Sequence, residues 1–403
     1  MTVAGGAPHM THGTIDDDRS PGRAWLRTLE LRDFRNLARV SLEPPRDGMV
    51  IIGDNGHGKT NLLEAIYYLQ LLRSSRGARD VDLVRFGTTG FHLGATAITG
   101  ETREREVGVG FERQGRRKRV RIDGAECPRL SNALGSVPSV MFSPRDVELV
   151  AGAPSERRRF LDVMLALTSR RYLAALQSYR AALMHRNAAL RDAARTGRGD
   201  ARVGVWDAPL AEHGALLWRE RVAWVASAAD RFSELCGAIG ERGPVRMRYV
   251  SPLDAGSVDP SEVASGKEVA EALARAHDAN RSSDLRRGLT HAGPHRDDVA
   301  LTLDGRDLRT FGSAGQQRTA AIAMRMLEAE TLRERGGSEP VLLLDDPFAE
   351  LDAVRAGRIL GLLSGAGLGQ TFLTVPRASD IPAELSALDR WRISDGALAR
   401  EDS

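Results

Sequence analysis

The stretch at residues 49–63, MVIIGDNGHGKTNLL, constrains this chain more than any other. A short apolar run (Val50, Ile51, Ile52) reads as a buried strand, and an apolar-periodic helix begins with Leu62, Leu63, Ala65 and Ile66. Between them Gly53, Asp54, Asn55, Gly56, His57, Gly58, Lys59 and Thr60 spell G-x-x-x-x-G-K-T, the pattern of a phosphate-binding P-loop. Glycines let backbone N–H groups turn inward around phosphate oxygens. The helix N-terminus adds the positive end of its dipole. Lys59 is placed to neutralise β- and γ-phosphates, and Thr60 to set a hydroxyl on Mg²⁺, so ATP and Mg²⁺ are the expected cofactors. A glycine-rich turn matching by chance would leave the agreement of motif and flanks unexplained.

Composition singles out Lys59 independently. The chain has 54 arginines and only 3 lysines, yet the loop holds a lysine. A compact ammonium fits a phosphate cradle better than a planar guanidinium. With 403 residues and 42% hydrophobic content, two or three domains with a sizeable core are expected. The formal net charge of +3 permits a nucleic-acid partner without demanding one. Cys127 and Cys236 are too few for a disulfide framework or a zinc site, which suits a reducing cytoplasm. No apolar run is long enough to span a membrane, and no signal-peptide core is evident.

In chain order, residues 1–24 read as a disordered tail, with Met10 a second possible start. Strands are expected at 25–32 and 38–42, joined by Phe34-Arg35-Asn36. Arg35 and Asn36 either fold back onto the nucleotide or form a solvated turn. Further strands fall at 91–99, 104–113 and 117–123. Residues 103–121 carry eight basic and three acidic residues, either a face for a phosphate backbone or a charged guard on an exposed edge. Residues 155–240 are helical in pattern, predicting one long helix, a break at 195–209, and a second antiparallel helix. The first helix would be roughly 60 Å long. Its eleven arginines against four acids over 155–202 are either a solvated face or a nucleic-acid track. A helix is expected at 261–279, then a turn at 290–298 (THAGPHRDD) that faces phosphates rather than holding a metal.

The C-terminal third supplies two more phosphate-related pieces. Ser313, Gly315 and Gln316 open a long helix, a second anion site in waiting. The run Val341 to Asp346 reads as a buried strand ending in two carboxylates, which in a parallel sheet emerge beside the P-loop. Asp345 then holds Mg²⁺, and Asp346 orients or activates the attacking water. Lys59, Asp345 and Asp346 are the candidate catalytic residues, and Thr60 and Asp345 the candidate metal ligands. Residues 395–403 read as loose.

These stretches together resemble the RecF family of ABC-type, SMC-like ATPases. The likeness rests on FRN at 34–36, GDNGHGKTNLLEAIYYL, FSPRDVELVAGAPSERRRFLD at 142–162, GPHRDD, SAGQQRTAA and LLLDDPFAELD. It implies an α/β fold: a P-loop ABC-type ATPase head, a mixed sheet flanked by helices, assembled from both chain ends. An all-α antiparallel helical arm is inserted between them. The expected division is 1–24 tail, 25–150 N-terminal half of the head, 151–285 arm, and 286–403 C-terminal half of the head. The resemblance further implies a weak ATPase used as a binding switch and an ATP-dependent homodimer. In that dimer Ser313 to Gln316 of one copy would close over the γ-phosphate held by Lys59 of the other. DNA, both single-stranded and junction, and recombination-mediator proteins are the implied partners, with roles in recombinase loading and the SOS response. An ABC-type energy subunit that never touches DNA is the alternative. Asp346 where ABC proteins usually have glutamate, and Thr374 where they have a switch histidine, imply slow hydrolysis. Ala349 before Glu350, and Pro347, leave the dimer contact near Asp352 the weakest transfer.

Overall fold

The computed structural model describes residues 22–100, 102–197, 200–254, 265–348, 351–365 and 369–401. Five short stretches form a parallel sheet, in the spatial order Asp389–Ser394, Gly48–Ile52, Thr371–Val375, Val341–Asp345 and Ser139–Phe142; the first is largely charged and the other four apolar. The strand Ala397–Arg400 closes one edge antiparallel. Strands from both chain ends therefore interleave, and Gly48–Ile52 lies between two strands that follow it by more than 300 residues.

The four apolar strands are buried on both faces. Met49, Ile51, Val341, Leu343 and Phe372 point into one core, shared with the P-loop helix Lys59–Leu71. Val50, Ile52, Leu342, Leu344 and Leu373 point into the other, shared with the long helices. Two buried faces explain why these strands read as unbroken apolar runs. A second, wholly antiparallel sheet covers the far side of the P-loop helix, in the order Leu37–Leu42, Trp25–Phe34, Gly90–Thr99, Arg103–Glu112, Arg117–Ile122 and Ala125–Glu126. Its inner face carries Phe34, Phe91 and Phe111, with edge-on contacts among Phe34, Tyr68 and Phe91. The P-loop helix is thus packed between two sheets.

The helical region differs from the expected single 60 Å helix and partner. The first segment breaks into Pro154–Thr168 and Arg170–Thr196 at Ser169, whose side chain caps the second helix by accepting from the Tyr172 amide at 3.1 Å. Spacing of apolar residues survives such a break, so periodicity alone did not reveal it. The longer piece has 27 residues, roughly 40 Å. Asp207–Ile239 packs against it, and the helix Gly266–Arg287 joins as a third member. That third helix continues beyond residue 279, and residues 261–264 of its expected range lie outside those described. Trp224 donates to Thr331 Oγ1 at 3.0 Å and Arg231 pairs with Glu330 at 2.8 Å, fixing Asp207–Ile239 to the helix Ala314–Gly336.

Three other expectations change. Of the tail, residues 1–21 lie outside the described part, but Gly22–Arg23 pairs with Ser338–Glu339 and Ala24 is buried. Residues 395–401 are not loose: they complete a hairpin, and the Asp395 amide donates to His57 Nδ1 at 3.0 Å. Most of the turn at 290–298 is bonded into the protein, with Arg296 exposed. Asp297 accepts from Tyr249 and Ser251 (2.6 and 2.7 Å), Asp298 pairs with Arg157 (2.7 Å), and His295 meets Tyr179 Oη at 2.6 Å. Among the described helices none is long and apolar enough to cross a membrane.

Candidate nucleotide site

The P-loop leaves the strand Gly48–Ile52 at Gly53 and enters the helix Lys59–Leu71 through Gly58. Three positions favour glycine, Gly56 through its φ of 87° alone. Gly58 has φ 111°, and a Cβ there would sit 2.8 Å from the Asn36 side chain. A Cβ at Gly53 would lie 2.5 Å from the Ile393 carbonyl oxygen. The loop is therefore gripped from two sides, by Asn36 of the antiparallel sheet and by the strand Asp389–Ser394. The C-terminal hairpin adds a third hold, since the Gly396 amide donates to the His57 carbonyl at 3.0 Å. Asp54, Asn55 and Gly56 form the exposed tip.

Lys59 is buried, and its ammonium donates to the carbonyls of Gly53 and Asp54, the latter at 3.0 Å. Burial lowers its pKa, against the attraction of Asp346, Asp345 and Asp54. Thr60 Oγ1 donates to Asp345 Oδ1 at 2.9 Å, and Thr374 Oγ1 donates to the same oxygen at 3.0 Å. Burial raises the Asp345 pKa, only partly offset by these two hydroxyls. Asp346 follows in a left-handed conformation (φ 46°), its amide donating to the Thr374 carbonyl and hydroxyl, each at 3.2 Å. Burial and the neighbouring Asp345 charge push its pKa up as well. Thr374, which the sequence marked only as a missing histidine, thus steadies both acids. The hydroxyl of Thr60 and the carboxylate of Asp345 are a pair of hard oxygen donors, the chemistry that suits Mg²⁺.

Of the two residues left open earlier, Asn36 reaches the loop: its Nδ2 donates to the Gly56 carbonyl at 3.5 Å, and its Oδ1 accepts from Asn61 at 2.8 Å. Arg35 instead donates to Glu64, at 3.1 and 3.2 Å. Glu64 was missed by sequence reasoning. Its fully buried carboxylate also accepts from Ser74 at 2.5 Å and from Arg76. Burial alone would raise its pKa, but these hydrogen bonds outweigh it and hold it below the usual carboxylate range. The overlooked signal was an acid inside the apolar run NLLEAIYYL.

Ser313 caps the helix Ala314–Gly336, with reciprocal bonds to Gln316 at 2.9 and 3.3 Å. Ser313 is exposed, and Arg355 approaches Gly315 from the helix Ala353–Gly365. Among the described residues, no hydrogen bond or ion pair joins Ser313, Gly315 or Gln316 to the P-loop. Ala349 and Glu350 lie outside the described residues. A cavity of about 640 Å³ opens beside Thr60 and Asp345, lined by Arg76, Arg145 and Arg159 among others.

Comparison with known proteins places this geometry. Residues 25–381 match the family model described as RecF/RecN/SMC N terminal domain. The "DNA replication and repair protein RecF" of Chloroflexus aggregans is 38% identical, covering 93% of this chain and 99% of that protein. Its counterpart from Lacticaseibacillus paracasei is 34% identical over the same shares. The solved structure of the recombination mediator protein RecF-ATPrS in the RecFOR pathway superposes with a TM-score of 0.85 at 30% identity, covering 94% of this chain and 99% of that one. An Smc head bound to the C-winged helix domain of ScpA shares the fold alone, with a TM-score of 0.52 at 14% identity, covering 94% of this chain and 97% of that one. Both the interleaved head and the chain-long similarity lead to one assignment: the chain belongs to the RecF family of DNA replication and repair proteins.

Proposed function

We propose that this chain is an ATP-dependent DNA-binding protein of replication and recombinational repair. ATP-driven dimerisation is its switch, and slow hydrolysis its release. Single strands and single-to-double-strand junctions are its DNA targets, in support of recombinase loading at gapped or stalled DNA and of SOS induction. The observation that carries this is a separation within one chain. The P-loop and its acids form one half-site, while the capped helix start at Ser313 stands exposed with no bond to it among the described residues. A helix N-terminus with free N–H groups suits a phosphate, and a second copy supplies one.

The chain's own residues divide the work. Lys59 and the loop amides bind phosphate oxygens. Thr60 and Asp345 hold Mg²⁺, which neutralises charge on the phosphates when bound. Asp346 accepts a proton from the attacking water, its raised pKa suiting a base. An aspartate reaches less far than a glutamate, which fits slow turnover. The RecF-ATP structure, at 28% identity and TM-score 0.86, supports the nucleotide assignment.

Sedimentation with and without ATP tests the reading. Lys59→Met should abolish nucleotide binding and pairing, whereas Ser313→Arg should bind nucleotide and remain monomeric. Wild-type protein that stays monomeric when saturated with ATP would refute the switch.

A further inference from the structure

The outer face of the antiparallel sheet carries an arrangement that the nucleotide site does not use. Along Arg117–Ile122, the side chains of Arg117, Arg119 and Arg121 are exposed and alternate with inward-facing Lys118 and Val120. Among the described residues none of these three arginines has an ion-pair partner. Alternate residues of a strand stand roughly 6.8 Å apart, close to the phosphate repeat of an extended nucleic-acid strand.

The register shows what lies beside this row. Arg121 stands opposite Gly108 and Arg119 opposite Gly110. One strand further in, Gly108 faces Gly94 and Gly110 faces His92. Beyond those come Glu30 and Arg32. Beside Arg119 and Arg121 the row thus borders a lane nearly free of side chains, bounded by exposed Glu112 opposite Arg117 and Glu106 at the other end, with Glu30 and Arg32 on its far bank. His92 lies in the lane, its imidazole held below the usual histidine range by burial and then by Arg32 and Arg121.

A Cβ at Gly94 would crowd His92 Nε2 at 3.3 Å, but nothing internal requires Gly108 or Gly110. Neither Gly108 nor Gly110 has a positive φ. A Cβ at Gly110 would meet nothing within 4 Å, and one at Gly108 only the His92 ring at 3.8 Å. Glycine within a strand weakens it and marks close approach by another chain. Charge protection of an edge explains arginines on an outer strand, but not bare glycines on the two strands inside it. At the Arg117 end, the turn that contains Phe86 is tied down by the Arg113 amide donating to the Thr89 carbonyl at 2.8 Å. Phe86 is 92% exposed there, a free ring for a base to stack on. On the long helices Arg157 and Arg186 are buried in internal ion pairs, while Arg171, Arg191 and Arg195 are exposed and form the competing surface.

We infer that this sheet face is a track for single-stranded DNA, with Arg117, Arg119 and Arg121 on successive phosphates and the Gly94–Gly108–Gly110 lane admitting the strand. A straight row follows one extended backbone; the phosphates of a duplex strand curve away from it. The inference rests on the DNA-binding reading above and gives it a place. The same strand is tied to the nucleotide site. Lys118, facing inward, donates to the Leu72 carbonyl at the end of the P-loop helix (2.7 Å) and pairs with Asp80 (2.7 Å).

Fluorescence anisotropy with a labelled 30-nucleotide single strand, and with the same sequence as a duplex, tests this across a salt series. Three variants of the full chain are compared with wild type. They are Arg117→Gln/Arg119→Gln/Arg121→Gln, Gly108→Val/Gly110→Val, and a charge-matched control, Arg171→Gln/Arg191→Gln/Arg195→Gln. Circular dichroism checks that each is folded. The track triple should bind the single strand roughly tenfold more weakly at about 50 mM salt, with a log–log slope shallower by roughly 2. The valine variant should also weaken although every charge remains, and valine favours strand structure. Equal binding by wild type and track triple overturns the track and spares the DNA-binding reading. So does equal weakening by the control triple. A loss confined to duplex overturns the single-strand assignment. Wild-type protein that binds neither probe defeats the DNA-binding reading and the track together.

Discussion

Thr60 Oγ1 and Asp345 Oδ1 lie 2.9 Å apart although 285 residues separate them. The contact exists because the strands Gly48–Ile52 and Val341–Asp345 flank Thr371–Val375 in parallel, so both end at the same edge. It sets hydroxyl and carboxylate side by side, the pair of oxygens that would hold Mg²⁺. Asp345→Asn keeps the shape and both threonine contacts but removes the charge. Its affinity for a fluorescent ATP analogue should fall at least roughly tenfold with Mg²⁺ present, and chelation by EDTA should affect the variant far less than the wild type. Equal response to EDTA would argue against Asp345 as a metal ligand.

Asp346 should show a cost of function. Burial and Asp345 raise its folded pKa, so its contribution to stability is present below the unfolded value of about 3.9 and is lost as pH rises through the folded value. At pH 7 the ionised side chain therefore destabilises the fold. Asp346→Asn should melt higher than wild type at pH 7, with the difference shrinking toward pH 4, while ATP hydrolysis falls and ATP-driven pairing persists. A lower melting temperature at pH 7 would contradict the electrostatic account.

Glu64 behaves oppositely. Its pKa is depressed by Arg76, Arg35 and Ser74 despite burial, so its stabilisation is present above the unfolded value of about 4.3 and lost as pH falls through the folded value. Glu64→Gln leaves two guanidinium groups without their anion and should cost about 3 kcal/mol in urea unfolding at pH 7. Because Arg35 and Arg76 brace the helix that carries Lys59, nucleotide affinity should weaken in parallel. A change below 1 kcal/mol would show the network to be slack.

His295 sets an acid limit on the helical region. Burial, with Arg296, His277 and Arg158 nearby, lowers its pKa to about 4 despite the Thr290 carbonyl that accepts from its ring. Its stabilisation is present above the unfolded value of about 6.5 and lost as pH falls to about 4, a loss of about 3 kcal/mol across that window. His295→Asn should be less stable at pH 7 and show a shallower decline between pH 6.5 and 4. Parallel curves for the two proteins would remove His295 from the account.

The legible parts of this molecule were those whose physics is local. Gly53 to Thr60 announces a phosphate cradle because consecutive amides form it. Ser313 and Gln316 announce a helix start because their two bonds span three residues. The break at Ser169 escaped notice because apolar spacing continues through it, and the hairpin at 389–400 because its strands are short and half exposed. Arg157 and Arg186 read as surface charge because their partners, Asp298 and Asp284, lie 141 and 98 residues away.

By itself the sequence determined which pieces of a candidate nucleotide half-site are present and in what order. Tertiary structure alone decided their partners: Asn36 and Ile393 against the loop glycines, Thr374 across both acids, Glu64 between two arginines, and Gly108 and Gly110 beside a row of arginines. The reason is physical. A strand buried on both faces carries no alternation that says which face meets which neighbour, and the register linking residues hundreds of positions apart is set by packing of the whole core.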